Sequence, residues 1–175
     1  VHRGRKRCGH HLWPVTVDHP TGIVDDQKRP HEAQRQAQPL QLQMGHMLEP
    51  IAAHFYAQRT GNTVTDDTNM YQHADFPYAL ADIDRRITRK GDGKPGVLEC
   101  KSCTYHKAGD WADGAYPLYY EFQLRYYLAV MDVDFGAFSA IWGNNPEHDL
   151  ATPSLIREQP KEDNIFQRLH QWIGS

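Results

Sequence analysis

Two carboxylates and an amine on neighbouring strands would suffice to hold a hard divalent cation and activate a water, and residues 78–101 carry such a set. The stretch reads Tyr-Ala-Leu-Ala-Asp-Ile-Asp-Arg-Arg-Ile-Thr, then Arg-Lys-Gly-Asp-Gly-Lys-Pro-Gly, then Val-Leu-Glu-Cys-Lys. Its ends are strand-like and its Gly/Asp/Pro-rich middle reads as the turn between them. Strand side chains alternate, so Leu80, Asp82 and Asp84 share one face of the first strand. On the second strand Glu99 and Lys101 share a face, while Leu98 and Cys100 point the other way. If the hairpin pairs, Asp84, Glu99 and Lys101 converge on one side of a small sheet. The competing reading is a solvated face, where a Glu-x-Lys pair contributes little.

Other elements must position this set. Residues 31–38 are polar and helix-prone, and Pro39 separates them from a longer helix. There Leu40, Met44, Met47, Leu48, Ile51, Ala52, Phe55 and Tyr56 recur at three and four, giving one apolar stripe. Thr60-Gly61 reads as its stop. Glu49 flanks the stripe, and Pro50 behind it predicts a bend or restart. Residues 62–68 predict an edge strand or connector. Residues 117–132 predict a second helix with Pro117 in its first turn. Leu118, Phe122, Arg125, Tyr126 and Ala129 lie on one side of it, and Tyr119, Gln123, Tyr127 and Val130 on another, its aromatics reading as core. Strands follow at 135–142 and 152–157, then a closing helix at 162–173. The order is helix, three strands, helix, strand, strand, helix.

Length and composition bound the rest. The 175 residues suit one domain with a real core, and a formal net charge of −3 carries no global nucleic-acid signature. Basic clusters are local: residues 3–7, Arg85-Arg86 through Arg89-Lys90, and Lys101 with Lys107. No apolar run is long enough to span a membrane, and no secretory signal is evident. Three cysteines, Cys8, Cys100 and Cys103, make no disulfide framework and suggest a reducing cytoplasm. Residues 1–30 read as an irregular arm or leader, with a possible short strand at 12–17, and residues 31–175 as a single domain.

An acid on the first helix, an Asp on one strand and Glu-x-Lys on the next resemble the PD-(D/E)xK restriction-endonuclease-like core. More narrowly, the chain resembles the phage lambda exonuclease and YqaJ-type viral recombinase family. The resemblance rests on Met44-Gly45-His46-Met47-Leu48-Glu49-Pro50, on residues 73–85, on Leu98-Glu99-Cys100-Lys101, and on Tyr120-Glu121-Phe122-Gln123-Leu124-Arg125-Tyr126-Tyr127. It covers about residues 40–142. It implies an α/β fold with a central mixed sheet flanked by helices. The function implied is a metal-dependent deoxyribonuclease, 5′-to-3′ on double-stranded DNA ends. A recombination role, a homotrimer and a single-strand annealing partner are implied with it. An endonuclease on the same core, or a non-catalytic DNA-binding module, are the alternatives.

Phosphodiester hydrolysis needs charge neutralised at the phosphate and an activated water. Mg²⁺, with Mn²⁺ able to substitute, favours a few carboxylates plus waters and phosphate oxygens. Asp84, Glu99 and the Cys100 backbone carbonyl would form such an open site. Glu49 would orient a water or hold a second ion, and Lys101 would orient or deprotonate the water and help neutralise the phosphate. Gln123 would hydrogen-bond near Lys101 or a DNA phosphate, and Asp82 could support the set. His73 stands where RecB-like relatives carry a metal-site histidine. Cys100-x-x-Cys103 has only His106 nearby as a further zinc ligand, and three cysteines fall short of the four that hold an iron–sulfur cluster. Residues 1–30 lack the opening Ile-Gly-Gly/Ala-Ser-Asp type segment of these relatives, and Arg125 stands where they often carry a second Gln.

Overall fold

The computed structural model describes residues 22–25, 39–143 and 149–173. The helix expected over 31–38, the strand expected at 12–17 and Cys8 lie outside them. Within the stretch expected to be an irregular arm, Gly22–Asp25 forms strand β1.

Helix α1 (Leu40–Thr60) is continuous through Pro50. Proline removes one helical hydrogen bond there, yet Ala52, Ala53 and Tyr56 in the next turns are buried against the sheet and hold the axis on course. Gly61, at φ 72°, ends the helix by donating its N–H to Ala57 O at 2.9 Å, a left-handed cap that glycine adopts without strain. The buried face differs from the expected stripe. Leu40, Met44, Met47, Ile51 and Phe55 are exposed, because the helix lies close to the strands and presents its two alanines to them.

The main sheet has six strands: β2 (Thr63–Asp66), β5 (Arg85–Thr88), β6 (Pro95–Ser102), β7 (Phe135–Ile141) and β8 (Leu150–Ala151) in that order, with β9 (Ser154–Ile156) also on β7. β6 and β7 are parallel and the other pairs antiparallel, so the sheet is mixed. A second, three-stranded sheet orders β1, β3 (Met70–Gln72) and β4 (Leu80–Asp82).

The strand expected over 78–88 is therefore two strands in two sheets. The chain bends at Ile83-Asp84, β4 pairing with β3 and β5 with β2 and β6. Past the β5–β6 ladder, the Cys100 N–H donates to Asp84 Oδ2 at 2.7 Å. A side-chain carboxylate thus takes the place of a ladder carbonyl, which keeps a buried amide satisfied where the strand ends.

After β6 a 3₁₀ segment (Tyr105–Gly114) leads into helix α2 (Leu118–Met131), which crosses over to β7. Leu124 and Leu128 of α2 pack with Val97, Phe138 and Ala140 on the sheet face opposite α1. Gly136 makes this approach possible, since a Cβ there would lie 2.7 Å from Leu124 Cδ1. Helix α3 (Gln159–Ile173) closes the layer against α2. The α2 aromatics divide: Tyr120, Tyr126 and Tyr127 pack against the core, but Tyr119 and Phe122, with Leu118, are exposed. Among the described residues no helix is long and apolar enough to cross a membrane.

Candidate active site

Alternation along β6 decides which layer each side chain meets. Leu98 and Cys100 turn to the α1 side with Ala52, Ala53 and Tyr56. Glu99 and Lys101 turn to α2, where Gln123 waits. Close seating of α2 over Gly136 and the helical spacing of Tyr120, Gln123 and Tyr127 set one polar stripe against the outer half of β6.

The contacts are short and converge on Glu99. Lys101 Nζ donates to Glu99 Oε1 at 2.6 Å and to Gln123 Oε1 at 3.3 Å. Gln123 Nε2 donates to Glu99 Oε1 at 2.8 Å and to the Tyr127 hydroxyl at 3.0 Å. The Lys101 ammonium also lies 4.6 Å from the centre of the Tyr120 ring, a favourable cation–π placement. Glu99 Oε1 thus receives both neighbours, while Oε2 is buried and accepts no hydrogen bond. A buried carboxylate oxygen without a donor is costly, and a site of this kind is completed by a cation or a water.

Asp84 lies beside Glu99, and its charge acts on the Glu99 carboxyl. Burial, then the Asp84 charge, pushes Glu99 up to about 8, against the lowering effect of Lys101. Burial, then Glu49, raises Asp84, opposed by the Cys100 amide, Lys101 and Arg85. Two buried carboxylates sharing one space resist ionising together. Glu49 joins from α1. It meets His46 Nδ1 at 2.8 Å, and Arg85 Nη1 lies 3.9 Å from its other oxygen. Arg85 is buried and donates to the Asp84 carbonyl at 2.6 Å and pairs with Asp66 at 2.8 Å.

The structure therefore brings Glu49, Asp84, Glu99, Lys101 and Gln123 to one end of the main sheet. His73 is not among them. Its ring packs against Phe76 and Phe166, with centroids at 4.9 and 4.8 Å, and its Nδ1 accepts from the Asp75 amide at 3.0 Å. The charges that act on it are those of Asp75, Arg157 and Asp132, and burial lowers its pKa. Asp82 is exposed on β4, across the chain bend from Asp84. Cys100 and Cys103 belong to opposite faces of the sheet, one with the α1 cluster and one against the α2 cluster. Sequence reasoning missed Tyr120, Arg85 and His46. Tyr120 sits one turn before Gln123, a helical spacing that carried the signal.

Asp84 and Glu99 suit a hard divalent ion, since both are oxygen donors and one offers an unused buried lone pair. Among the described residues no group of three or more His, Cys, Asp or Glu side chains is placed to hold a metal ion. Mg²⁺ does not require one, because waters and phosphate oxygens fill its remaining positions.

Glu99 gives the first expected result. A carboxyl whose folded pKa lies near 8 rather than 4.5 binds its proton more tightly folded than unfolded. Stability from this group is full below the unfolded value and is lost as pH rises towards about 8. In EDTA, the melting temperature should therefore fall across this interval, and Glu99→Gln should flatten the fall. Identical slopes for both proteins in a thermal-shift pH series would contradict this.

A family model described as the YqaJ-like viral recombinase domain matches residues 5–134. Uncharacterized protein YqaJ of Bacillus subtilis (strain 168) is 28% identical over 125 residues, which is 70% of this chain and 37% of that protein. The chain thus spans little more than a third of that relative's length. The fold is similar to the crystal structure of an alkaline exonuclease (LHK-Exo) from Laribacter hongkongensis, with a TM-score of 0.67 and 20% identity. That match covers 76% of this chain and 66% of the other. The structure of LHK-Exo in complex with dAMP matches with a TM-score of 0.69 and 19% identity, over 81% of this chain and 73% of the other.

Proposed function

The chain belongs to the YqaJ-like viral recombinase domain family, and from that premise we propose that it is a Mg²⁺-dependent nuclease hydrolysing DNA phosphodiesters. The observation that carries the reading is Glu99 Oε2: a buried, undonated carboxylate oxygen beside Asp84, with Lys101 fixed on the other oxygen.

Asp84, Glu99 and the Cys100 carbonyl would hold the ion, which when bound supplies Lewis acidity at the phosphate and lowers the pKa of a water. Lys101 has three N–H donors and spends two on Glu99 and Gln123. The third is free to donate to a non-bridging phosphate oxygen, so Lys101 neutralises and orients the phosphate. Gln123, held by Tyr127, fixes both Glu99 and Lys101, so the ammonium and the carboxylate keep their separation while substrate binds. Glu49 adds negative charge from α1, held by His46 and Arg85. In the reaction a water oxygen bonds to phosphorus and gives up a proton to solvent, while the bond from phosphorus to the leaving sugar oxygen breaks and that oxygen takes up a proton from solvent.

The finer assignment is 5′-to-3′ digestion of one strand from a duplex end, in recombination. Family membership supports it, as does a neighbouring fold that binds dAMP, a nucleoside monophosphate of the kind an exonuclease releases. A homotrimer and a single-strand annealing partner accompany this assignment. Linear and covalently closed circular duplex DNA, each with Mg²⁺ or Mn²⁺, provide the test, one linear strand being labelled at either end. Loss of linear DNA alone, with early release of the 5′ label, is the expected result. Cutting of the circle would replace this assignment with an endonuclease.

A further inference from the structure

We propose that the ring of Tyr119 is a stacking platform for an unpaired nucleobase, that of the nucleotide whose phosphate is held at Lys101; this rests on the nuclease reading above. Tyr119 is the second residue of α2 and is 60% exposed, although it is aromatic and its neighbour Tyr120 packs against the core. Its ring centre is 4.2 Å from that of Tyr120. Tyr120 is fixed from behind by Trp111 and Phe138, at 5.7 and 6.3 Å between ring centres. The same Tyr120 ring carries the Lys101 ammonium at 4.6 Å. A continuous aromatic path thus runs from the core through Tyr120 to a solvent-facing ring, and it touches the catalytic ammonium on the way.

This placement selects the ligand. A phosphate accepting from the free Lys101 N–H puts its own nucleotide beside Tyr120 and Tyr119, within the span of one residue of nucleic acid. What that nucleotide can offer an exposed phenol ring is the flat face of its base. Every base has such a face, so recognition here is tolerant of sequence. A base inside a duplex has both faces covered by its neighbours, so the base received is one released from pairing at the strand end. Backing by Tyr120 lowers the cost of binding, because the platform is already ordered.

The test is a two-by-two binding cycle in EDTA, which prevents cleavage. Fluorescence anisotropy would compare wild type and Tyr119→Ala on a short labelled duplex with a frayed end. An abasic site replaces each end nucleotide in turn. Tyr119→Ala should weaken binding of intact DNA by about tenfold, the usual size of a base–aromatic stack. At one abasic position the wild type should weaken by the same factor and Tyr119→Ala should lose nothing more. Tyr119→Phe, which keeps the ring, should bind like wild type. An equal loss for Tyr119→Ala on intact and every abasic DNA, or no loss at all, would overturn the platform while leaving the nuclease reading standing. Failure of folded wild type to bind any of these DNAs would instead overturn both.

Discussion

Lys101→Ala is expected to slow DNA hydrolysis by about a hundred- to ten-thousand-fold, the range over which a positioned proton-transfer or charge-stabilising group acts. Lys101 is held by two acceptors and one ring face, and on the proposed reading these keep its ammonium where charge would develop on the phosphate. Loss of the side chain should cost little stability. Glu99 keeps the Gln123 hydrogen bond and, already raised to about 8, takes up a proton in place of its lost partner. Lys101→Arg should not rescue, because a planar fork cannot direct three donors to Glu99, Gln123 and a phosphate in the same geometry. Single-turnover rates on linear duplex, beside unfolding midpoints, provide the check. A near-wild-type rate for folded Lys101→Ala would remove Lys101 from the mechanism.

Arg125→Ala should produce the largest loss of stability, about 3–5 kcal/mol, as expected when one partner of a buried charge network is deleted. Arg125 Nε donates to Glu121 at 2.7 Å, and Nη1 and Nη2 donate to Glu162 and Glu158 at 2.9 Å each. Arg125 and Glu162 are 4% and 1% exposed. The guanidinium thus ties α3 to α2, and its removal strands the Glu162 carboxylate inside the protein. Arg125→Met combined with Glu162→Gln should recover part of the loss, since it removes both charges. Urea denaturation of the single and double variants decides it. A single-variant loss under about 1 kcal/mol would show the network to be solvated.

The same residue shows how far sequence reading reaches. At the position of Arg125 the sequence reading noted only that relatives often carry a second Gln. Its partners Glu158 and Glu162 stand more than thirty residues away, a distance that no local pattern spans. Glu99, Lys101 and Gln123 were legible because strand alternation and helical spacing are local rules, and they fix which face each side chain takes. The division of 78–88 was not. Burial alternates without a break through Ala81, Ile83, Arg85 and Ile87, so the periodicity reads as one strand while the hydrogen-bonding partner changes at Asp84.

The mixed sheet between helices followed from the element order and from the resemblance. The stripe on α1 misled because apolar spacing records amphipathicity and not which residues approach the sheet. Two alanines and Tyr56 make that approach. His73 was placed by a sequence correspondence, whereas its surroundings are made by Phe76 and by Phe166 of α3.

The central claim is that Asp84, Glu99, Lys101 and Gln123 form one metal-dependent hydrolytic centre. Its most direct test is single-turnover cleavage of end-labelled linear duplex by wild type and Glu99→Gln, each with Mg²⁺ and with EDTA. The account predicts cleavage by wild type with Mg²⁺ alone, with Glu99→Gln folded and inactive. Cleavage by Glu99→Gln at the wild-type rate, or by wild type in EDTA, would place the chemistry elsewhere.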